Sequence, residues 1–365
     1  MKKVLHLGKY YPPDFGGIEK ITSLIVDNDS KNNHKVVCFS TEKKFCYQNE
    51  SPKKIYRFFQ YFKIFSQPIN LQYILFSIRE MNNNDIAHIH LPNIFALISA
   101  CFIRKPIVIH WHSDIMKNKF LYSIVKPLEY FVLKKSEFII ISSNNYLEHS
   151  EPLTNFYNKV KVIPYGISRP KKQDILKLPS DLMMILKKKK IILSVGRLVK
   201  YKGYSDLIEA MSSINATLVL IGDGPEYNNL MNIININRLK DKVFILRELS
   251  DDDKDRVYSM ASIFCLPSLD KSESYGMSIV EAMSFGLPLI TTNLPDSGIT
   301  WLNQHDKTGI CVEPNSPNQL NQSILKILGS DLLHKKYSEN SKTRFEQELH
   351  INAFIERLNS LYDKL

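Results

Sequence analysis

The chain has 365 residues, of which 44% are hydrophobic and 23% are charged, and it contains five cysteines. At roughly 150 residues per domain this length predicts about two domains, each with its own core, and it excludes a small stapled scaffold and a simple fibre. The cysteines are widely spaced and form no C-x-x-C pair, so neither a disulfide framework nor a structural zinc site is predicted. The apolar run at residues 4–7 is too short for a signal-peptide core or a membrane span, and we therefore expect the chain in the cytoplasm.

Positive charge is concentrated in the first half of the chain. The formal net charge is +11 at pH 7, of which residues 1–168 contribute +9 and residues 169–365 contribute +2. Such an asymmetry predicts an anionic partner for the first half, namely nucleic acid, a membrane surface or a phosphorylated substrate. Charge alone does not choose among the three.

Short apolar runs alternate with longer amphipathic stretches along the whole chain. Near-continuous apolar strands separated by helical segments predict parallel sheets that are covered on both faces. The predicted strands are residues 4–8, 35–40, 86–90, 106–110, 138–142 and 160–164 in the first half, and 191–196, 217–222, 242–246, 263–267, 288–292 and 309–312 in the second.

A polar segment over residues 168–190 separates the two sets of strands and is predicted to be the domain linker. The fold class is therefore α/β, with two Rossmann-like, doubly wound domains over residues 1–168 and 169–348 that face a cleft. A further helix is predicted over residues 349–365. It could pack on either domain, including back on the first.

Two glycines, Gly16 and Gly17, follow the first predicted strand. Glycines at a strand-to-helix turn let the backbone approach a ligand closely, and the amides of the following helix can point at an anion. The surrounding sequence is neither G-x-G-x-x-G nor a P-loop. An ordinary tight turn explains the pair equally well.

The segment from Lys53 to Phe65 is rich in aromatic and basic residues. Its spacing predicts an amphipathic helix with an apolar face and a basic face, which could lie at a membrane interface. A core helix with one solvated edge is the alternative. Single-stranded nucleic acid would also suit aromatic and basic residues, but no RNA-binding signature accompanies them.

His110 and His112 alternate at the end of an apolar strand, so both imidazoles are predicted on one face. A metal site is one interpretation, but no third ligand is suggested nearby. The alternative is one structural imidazole and one that faces the cleft.

Arg197 closes a strand and Lys202 lies five residues later, before a predicted helix. Both side chains could converge on phosphate oxygens, the arginine as a planar fork and the lysine as a point charge. The alternative is an ordinary basic loop.

The strongest pattern runs from Glu273 to Glu281, across a helix that is predicted to begin near Gly276. The first amides of that helix would form an anion site suited to a diphosphate. The two glutamates would lie roughly 12 Å apart if both were helical, too far for a glycosidase pair. They are predicted to bind different parts of one elongated substrate, the alternative being solvated helix residues.

Two acidic runs are predicted to be structural. Asp27 to Asp29 lies at a probable helix end and is typical of a loop, and Asp251 to Asp253 follows Ser250, which suits a serine N-cap with acids in the first turn.

Taken in this order, the patterns resemble the retaining glycosyltransferases of family 4, which have the GT-B architecture, over nearly the whole chain. The most specific parts are the spacing of Glu273 and Glu281, residues 195–197 with 202–203, and residues 222–225. Narrower matches, at residues 111–115, 301–305 and 308–309, are similar to bacterial O-antigen and capsule mannosyltransferases.

The resemblance implies transfer of a hexose, with mannose favoured, from a nucleotide-diphospho-sugar held by the second domain. Arg197 and Lys202 would neutralise the departing diphosphate. Glu281 would bind the ribose and Glu273 the transferred sugar. The amides of the following helix start would assist: Gly276, Met277, Ser278 and Ile279.

For the first domain, the resemblance implies that Gly16 and Gly17 border the donor phosphates and the acceptor, and that His112 contacts the sugar near the reacting carbon. No metal and no cofactor besides the donor is implied. Arg247 and Glu248 stand where relatives commonly have a glycine near the nucleotide base, so base identity is open, with GDP favoured over UDP.

The expected acceptor is a polyprenyl-diphosphate-linked glycan at the inner face of the cytoplasmic membrane, reached through the segment from Lys53 to Phe65. Nucleic acid is not expected as a partner. Two other classes stay open: a nucleotide-sugar epimerase of the same architecture, and a non-catalytic sugar-nucleotide-binding protein. The joint presence of Arg197, Lys202, Glu273 and Glu281 argues against both.

Overall fold

The computed structural model describes residues 1–14, 16–42, 45–50, 53–64, 67–114, 119–170, 183–184, 186–187, 190–247 and 249–365. The chain forms two compact units, one of residues 1–165 with 351–365 and the other of residues 166–350. Most of the segment predicted as a linker falls outside the described residues.

The first unit is built on one large, mainly parallel sheet. Its strands are β1 (Lys3–Leu7), β2 (Asn33–Ser40), β3 (Cys46–Glu50), β4 (Lys53–Phe59), β5 (Phe62–Ile64), β6 (Gln67–Ile69), β7 (Ile86–Leu91), β8 (Ile107–Trp111), β9 (Phe138–Ile141) and β10 (Val160–Val162). The order is β10-β9-β8-β7-β1-β2-β4-β3, with β3 antiparallel to β4, while β5 and β6 form a separate hairpin.

Helices connect these strands and cover both faces of the sheet. They are α1 (Gly17–Asn28), α2 (Leu71–Asn83), α3 (Ile94–Cys101), α4 (Lys119–Lys135) and α5 (Asn144–His149), followed by a 3₁₀ segment at Glu151–Lys159. Side-chain oxygens define two of the helix starts, since Asn70 accepts from the Gln72 amide and Asn93 from the Ala96 amide.

The two faces of the first sheet differ in polarity. Leu5 and Leu7 of β1 pack in the apolar core, whereas His6, between them, points to the opposite face and is fully buried there. This alternation follows from the two-residue period of a strand. The second face therefore buries polar side chains that must find partners inside the protein.

The second unit contains a sheet in which every pair of neighbours is parallel. Its strands are β11 (Ile191–Val195), β12 (Thr217–Ile221), β13 (Val243–Leu246), β14 (Ile263–Leu266), β15 (Leu289–Thr292) and β16 (Gly309–Val312). They are ordered β13-β12-β11-β14-β15-β16, and each lies where the apolar runs predicted a strand. The predicted α/β class with parallel sheets in two domains is confirmed.

The helices of the second unit surround this sheet. They are α6 (Tyr204–Ala210), α7 (Tyr227–Ile236), α8 (Asp251–Met260), α9 (Met277–Ser284), α10 (Gly298–Leu302), α11 (Pro317–Leu328) and α12 (Asp331–Arg344), with 3₁₀ turns at Lys200–Lys202 and Met211–Ser213. The predicted cap is confirmed, because the Ser250 hydroxyl accepts from the Asp253 amide at 3.1 Å.

The helix predicted from Lys53 to Phe65 is wrong. Residues 53–59 form β4, which pairs with β2 in parallel, and residues 62–64 form β5; Phe65 lies outside the described residues. The apolar and aromatic run fits a strand as well as a helix. In the strand, Ile55 and Arg57 lie on one face and Phe58 lies on the other. Pairing with the exposed edge of β2 selects the strand.

The C-terminal segment returns to the first unit. After α12, a π-helical turn at Phe345–Leu349 precedes α13 (Ile351–Tyr362). Asn359 donates to Asp29 at 3.0 Å, the Tyr362 hydroxyl bonds to His88 Nδ1, and Lys31 pairs with Asp363. Of the two alternatives for this helix, packing on the first unit is the one observed. Among the described residues, no helix is both long and apolar enough to cross a bilayer.

We expect Tyr362→Phe to lower the free energy of unfolding by about 1–3 kcal/mol, because it leaves the buried His88 Nδ1 without a partner. Tyr157→Phe is the matched control, since Tyr157 is 51% exposed and should change stability by less than about 0.5 kcal/mol. Urea unfolding with an unchanged m-value measures both. Equal midpoints for the two variants would contradict the prediction.

Candidate functional site

The strongest site candidate lies at the carboxyl edge of the second sheet. β11 sits between β12 and β14, and the chain reverses its direction of winding there, which makes this point the topological switch of the sheet. Ligands of doubly wound sheets bind at such a point. The loop after β11 carries Arg197 and Lys202, and the loop after β14 carries Glu273 and the start of α9.

Glycine backbone geometry shapes the loop after β11. Gly196 has φ +154°, and a Cβ there would lie 3.1 Å from Lys202 Nζ. Gly222 has φ +148°, and its Cβ would lie 2.0 Å from the Gly196 carbonyl oxygen, so the loops after β11 and β12 pack backbone to backbone. This packing leaves the Arg197 side chain exposed and folds Lys202 inward.

Lys202 and Glu273 form a buried ion pair. Their side chains are only 9% and 10% exposed, and Lys202 Nζ contacts Glu273 Oε2. The Ser268 hydroxyl also donates to that oxygen, at 3.2 Å. Burial and the nearby Glu273 charge raise the pKa of Tyr201 to about 12, so its phenol stays protonated beside the pair. Lys202, which the resemblance places at the diphosphate, and Glu273, which it places at the transferred sugar, therefore neutralise each other in this structure.

The start of α9 depends on Gly276. This residue has φ +92°, and a Cβ on it would lie 2.9 Å from Ile279 Cδ1 and 3.0 Å from Ile299 Cγ2. Glycine is thus required by both conformation and space. The helix begins at Met277, as predicted, and Met277 and Ser278 are partly buried. The Ile279 amide already donates to the Gly276 carbonyl oxygen at 2.9 Å.

Glu281 lies in the second turn of α9 and is 8% exposed. The Tyr258 hydroxyl donates to its Oε2 at 3.0 Å, and Lys254 Nζ lies 3.4 Å from its Oε1. Burial opposes the charge on Lys254, but Glu281 and Asp251 outweigh it, so the pKa of Lys254 rises. Tyr258 and Lys254 were missed at the sequence level, because nothing in their spacing relates them to α9.

Arg247 follows β13 and is held by its neighbours. Its guanidinium makes two 2.9 Å hydrogen bonds to the Asp223 carboxylate and lies 4.6 Å from the centre of the Tyr227 ring. These contacts hold the pKa of Asp223 below its usual range. Glu248, which with Arg247 stands where relatives commonly have a glycine, lies outside the described residues.

The glycine turn of the first unit is closed by a carboxylate. Gly16 is the N-cap of α1, and a Cβ on it would lie 2.1 Å from Glu19 Oε2. The Glu19 carboxylate accepts from its own backbone amide, and burial raises its pKa. Lys9 lies nearby, and burial lowers its pKa while Glu19 acts in the opposite sense. Glu19 and Lys9 were missed, although both flank the predicted turn.

His112 belongs to a buried layer of histidines rather than to an isolated pair. Its Nε2 lies 3.0 Å from His90 Nδ1, and its Nδ1 lies 2.8 Å from the Tyr165 hydroxyl. A sugar contact by a ring nitrogen therefore needs one of these two hydrogen bonds to open. The local sequence suggested no third ligand near His110 and His112, and the structure places His90 within reach of both.

The H-x-H pattern of one strand does not reveal this layer, because the other members lie on neighbouring strands. His88 and His90 repeat the H-x-H spacing on β7, and in the sheet His90 is the register partner of His110 on β8. Two H-x-H pairs on neighbouring strands of one parallel sheet are a readable signal.

The predicted site residues thus fall into two sets. Arg197, Lys202, Glu273, Glu281 and the start of α9 follow β11 and β14, the central strands of the second sheet, and among them Lys202 and Glu273 are in contact. Gly16, Gly17 and His112 lie in the first unit. The roles of all these residues toward a substrate stay predictions.

Comparison with known proteins gives consistent matches. Residues 184–344 match the family model described as Glycosyl transferases group 1. O-antigen chain mannosyltransferase C of Escherichia coli is 26% identical over 373 residues, which cover 100% of this chain and 98% of that protein. D-rhamnosyltransferase WbpZ of Pseudomonas aeruginosa is 26% identical over 249 residues, 67% of this chain and 64% of that protein.

Among solved structures, HepE of Anabaena in complex with UDP superposes with a TM-score of 0.81 at 18% identity and full coverage of both chains. At this identity the likeness concerns the fold.

The buried histidines predict an acid-labile protein. Burial lowers the pKa of His6, His88, His90, His110 and His112, the last to about 3. Histidines in the unfolded chain titrate near pH 6.5. Below that pH the unfolded chain therefore binds protons that the folded chain does not bind. The free energy of unfolding therefore has its full value above pH 6.5. Below that pH it decreases by up to about 1.4 kcal/mol per pH unit for each of these histidines.

Melting temperatures between pH 7.5 and 5.5 measure this dependence. His149→Gln is the control, because His149 is exposed and its loss should leave the slope unchanged. A melting temperature that stayed flat down to pH 5.5 would refute the neutral, buried state of these imidazoles.

Proposed function

We propose that this chain, which has the GT-B fold and matches the group 1 glycosyltransferase model over residues 184–344, is a glycosyltransferase that moves a hexose, with mannose favoured, from a nucleotide-diphospho-sugar to a lipid-linked or glycan acceptor. The proposed setting is the synthesis of bacterial surface polysaccharide, O-antigen or capsule. The full-length similarity to an O-antigen mannosyltransferase supports both the sugar and the setting.

The observation that carries the proposal is the cluster at the switch point of the second sheet. An exposed arginine, a buried lysine and the open start of a helix lie at one strand edge, next to two buried glutamates. Positive groups that are fixed in advance stabilise the charge that develops on a leaving diphosphate. Carboxylates suit sugar hydroxyls, which donate hydrogen bonds to them.

We propose that the Lys202–Glu273 pair is closed in the free protein and separates when the donor binds. In the free protein each charge satisfies the other inside the fold. A bound donor would supply phosphate oxygens for Lys202 and hydroxyls for Glu273, so both groups would keep partners when the pair separates. This exchange avoids leaving a buried charge uncompensated, which is costly.

We propose a retaining reaction. The acceptor hydroxyl attacks the sugar on the face from which the diphosphate leaves, and a donor phosphate oxygen takes its proton. Arg197, Lys202 and the start of α9 hold the leaving group, so the site draws its positive charge from the chain itself and we propose no metal. Glu281 is proposed to bind the ribose, with Tyr258 and Lys254 fixing its carboxylate.

GDP is our proposed nucleotide, favoured over UDP. Arg247 is proposed to lie near the nucleotide base, and its planar guanidinium is already oriented by Asp223 and Tyr227. The acceptor is proposed to bind the first unit near Gly16 and Gly17, where Lys9 adds positive charge. A polyprenyl diphosphate would match the net charge of +9 carried by residues 1–168.

We propose that the protein works in the cytoplasm and touches the inner face of the membrane. Tyr61 and Phe62, at the β5–β6 hairpin, are 57% and 56% exposed, next to the basic Lys63. Aromatic and basic groups together are typical of an interfacial contact. The hairpin thereby takes over the role first predicted for a helix in this segment.

Two alternatives remain distinct in outcome. An epimerase would release a changed free nucleotide sugar without an acceptor, and a non-catalytic binding protein would leave the donor intact. The joint presence of Arg197, Lys202, Glu273 and Glu281 favours a transferase over both alternatives.

A thermal-shift panel of GDP, UDP, ADP and TDP tests the donor site. A nucleotide at 100 times its dissociation constant should add about 2.7 kcal/mol of stability. We expect one nucleotide to do so selectively, and the shift to vanish in Arg197→Ala and Glu281→Ala. Lys326→Ala is the control, since this lysine lies on α11 in the same unit, away from the site. No shift with any nucleotide, from folded protein, would reject the proposed donor site.

Co-sedimentation with vesicles of phosphatidylcholine and phosphatidylglycerol tests the membrane contact. Replacing Tyr61 and Phe62 by serine should weaken binding about tenfold, because buried aromatic surface is lost. Leu332→Ser is the control, since Leu332 is 83% exposed in the second unit. Binding that is insensitive to salt and to the aromatic changes would count against the contact.

A further inference from the structure

Six of the ten histidines lie in one buried layer of the first unit. They come from four neighbouring strands, β2, β1, β7 and β8, and from the residue that follows β8, and all point to the sheet face opposite the apolar core. The layer consists of His34, His6, His88, His90, His110 and His112, with exposures between 0% and 8%. Parallel register aligns them, pairing His6 with His88 and His90 with His110.

Four of these imidazoles form a continuous hydrogen-bonded chain. His34 Nδ1 lies 3.0 Å from His6 Nε2, His6 Nδ1 lies 3.1 Å from His90 Nε2, and His90 Nδ1 lies 3.0 Å from His112 Nε2. Each link joins an Nδ1 to an Nε2, so every ring uses both nitrogens. We call this set the imidazole chain.

The two ends of the imidazole chain are chemically different. His34 Nε2 meets Asp29 Oδ2 at 3.0 Å, and His112 Nδ1 meets the Tyr165 hydroxyl at 2.8 Å. Although burial acts in the opposite sense, hydrogen bonds from His34, Asn32 and Asn359 hold the pKa of Asp29 well below its usual range. Asp29 is therefore an ionised carboxylate, which can only accept.

In a chain of neutral rings, the acceptor end sets the direction of every bond. His34 must donate to Asp29 from Nε2, which leaves its Nδ1 as an acceptor when the ring is neutral. The same argument then applies to His6, to His90 and to His112 in turn. It ends consistently at Tyr165, whose hydroxyl donates to the bare Nδ1 of His112.

We propose that Asp29, acting through His34, His6 and His90, is a positioning residue that holds His112 as a neutral imidazole protonated on Nε2. His112 directly follows β8, at the carboxyl edge of the first sheet, where ligands of such sheets bind. The role of His112 in sugar transfer rests on the proposed function. The proton order along the imidazole chain does not depend on that function. A neutral ring of fixed orientation adds no positive charge at this edge and cannot swing between partners.

The other two histidines form a branch without a carboxylate. The Tyr362 hydroxyl bonds to His88 Nδ1, His88 Nε2 lies 3.2 Å from His110 Nδ1, and His110 Nε2 has no hydrogen-bond partner among the described residues. This branch supplies an internal comparison, since Asp29 does not terminate it.

A metal ion is the competing interpretation of the same residues. Two triads, His6 with His88 and His90 and His90 with His110 and His112, place one nitrogen from each ring within 4.8 Å of the others. Metal ligation needs lone pairs that converge without a proton between them. The imidazole chain instead requires one proton in each link, so the protonation of the ring nitrogens separates the two.

The test is long-range ¹H–¹⁵N correlation spectroscopy of the full-length chain labelled with ¹⁵N-histidine, recorded near pH 7.5 with and without EDTA. Protonated and bare ring nitrogens resonate in separate regions. We expect His34, His6, His90 and His112 each to carry a proton on Nε2 alone. A mixture of tautomers at His112, a proton on its Nδ1, or nitrogens that regain protons only after EDTA would overturn the proposal.

Asp29→Asn tests the long-range effect. The asparagine amide can donate to His34 Nε2, so we expect the reversed order, with protons on Nδ1, to be populated along the imidazole chain as far as His112. His88 and His110 should be unaffected. A change confined to His34 would overturn the proposal, because it would show that the tautomer of His112 is set locally.

Tyr165→Phe is the matched control. It removes the hydroxyl at the far end, and we expect it to shift only the Nδ1 signal of His112 while the proton order persists. Loss of the order in this variant would likewise assign control to Tyr165 and overturn the role of Asp29. The wild-type spectrum tests the order by itself if Asp29→Asn does not fold.

These spectra need no ligand, which keeps the two proposals separable. A negative nucleotide panel with the expected tautomers would reject the proposed function and leave the proton order standing. A positive nucleotide panel with mixed tautomers would support the proposed function and reject the proton order.

Discussion

Both units depend on the same constraint, which is that strands running parallel finish at the same edge of a sheet. In the second unit this brings the loops after β11 and β14 together, and with them Arg197, Lys202 and Glu273. In the first unit the same parallel register stacks histidines from four strands into one layer. Residues far apart in sequence meet because the backbone hydrogen bonds leave no other arrangement.

Burial then determines which of these groups are charged. Burial lowers the pKa of His6, His88, His90, His110 and His112, since an imidazolium there would have no solvent and few acceptors. Asp29 stays ionised at the same depth because several donors surround it. Lys202 and Glu273 keep their charges by pairing. The first unit thus contains hydrogen-bonded imidazoles, and the second unit contains a buried ion pair.

Much of the fold and part of the site follow from local patterns. The apolar strands, the helix start at Gly276 and the cap at Ser250 were all predicted, because each depends on a few neighbouring residues. The segment at residues 53–65 was not, since a short aromatic run suits either a helix or an edge strand. Asp29 was dismissed as loop chemistry, and its partner Asn359 lies on a helix more than 300 residues away.

The sequence by itself determined the α/β class, six of the eight strands of the first sheet, all six strands of the second and several of the residues at the switch point, because strand periodicity and glycine-dependent turns are local properties. Only the tertiary structure decided that α13 covers the first unit, that Lys202 and Glu273 are paired, and that the histidines form one hydrogen-bonded layer. Those outcomes depend on register between strands and on which polar groups are buried together. Neither quantity is encoded in any short stretch of the chain.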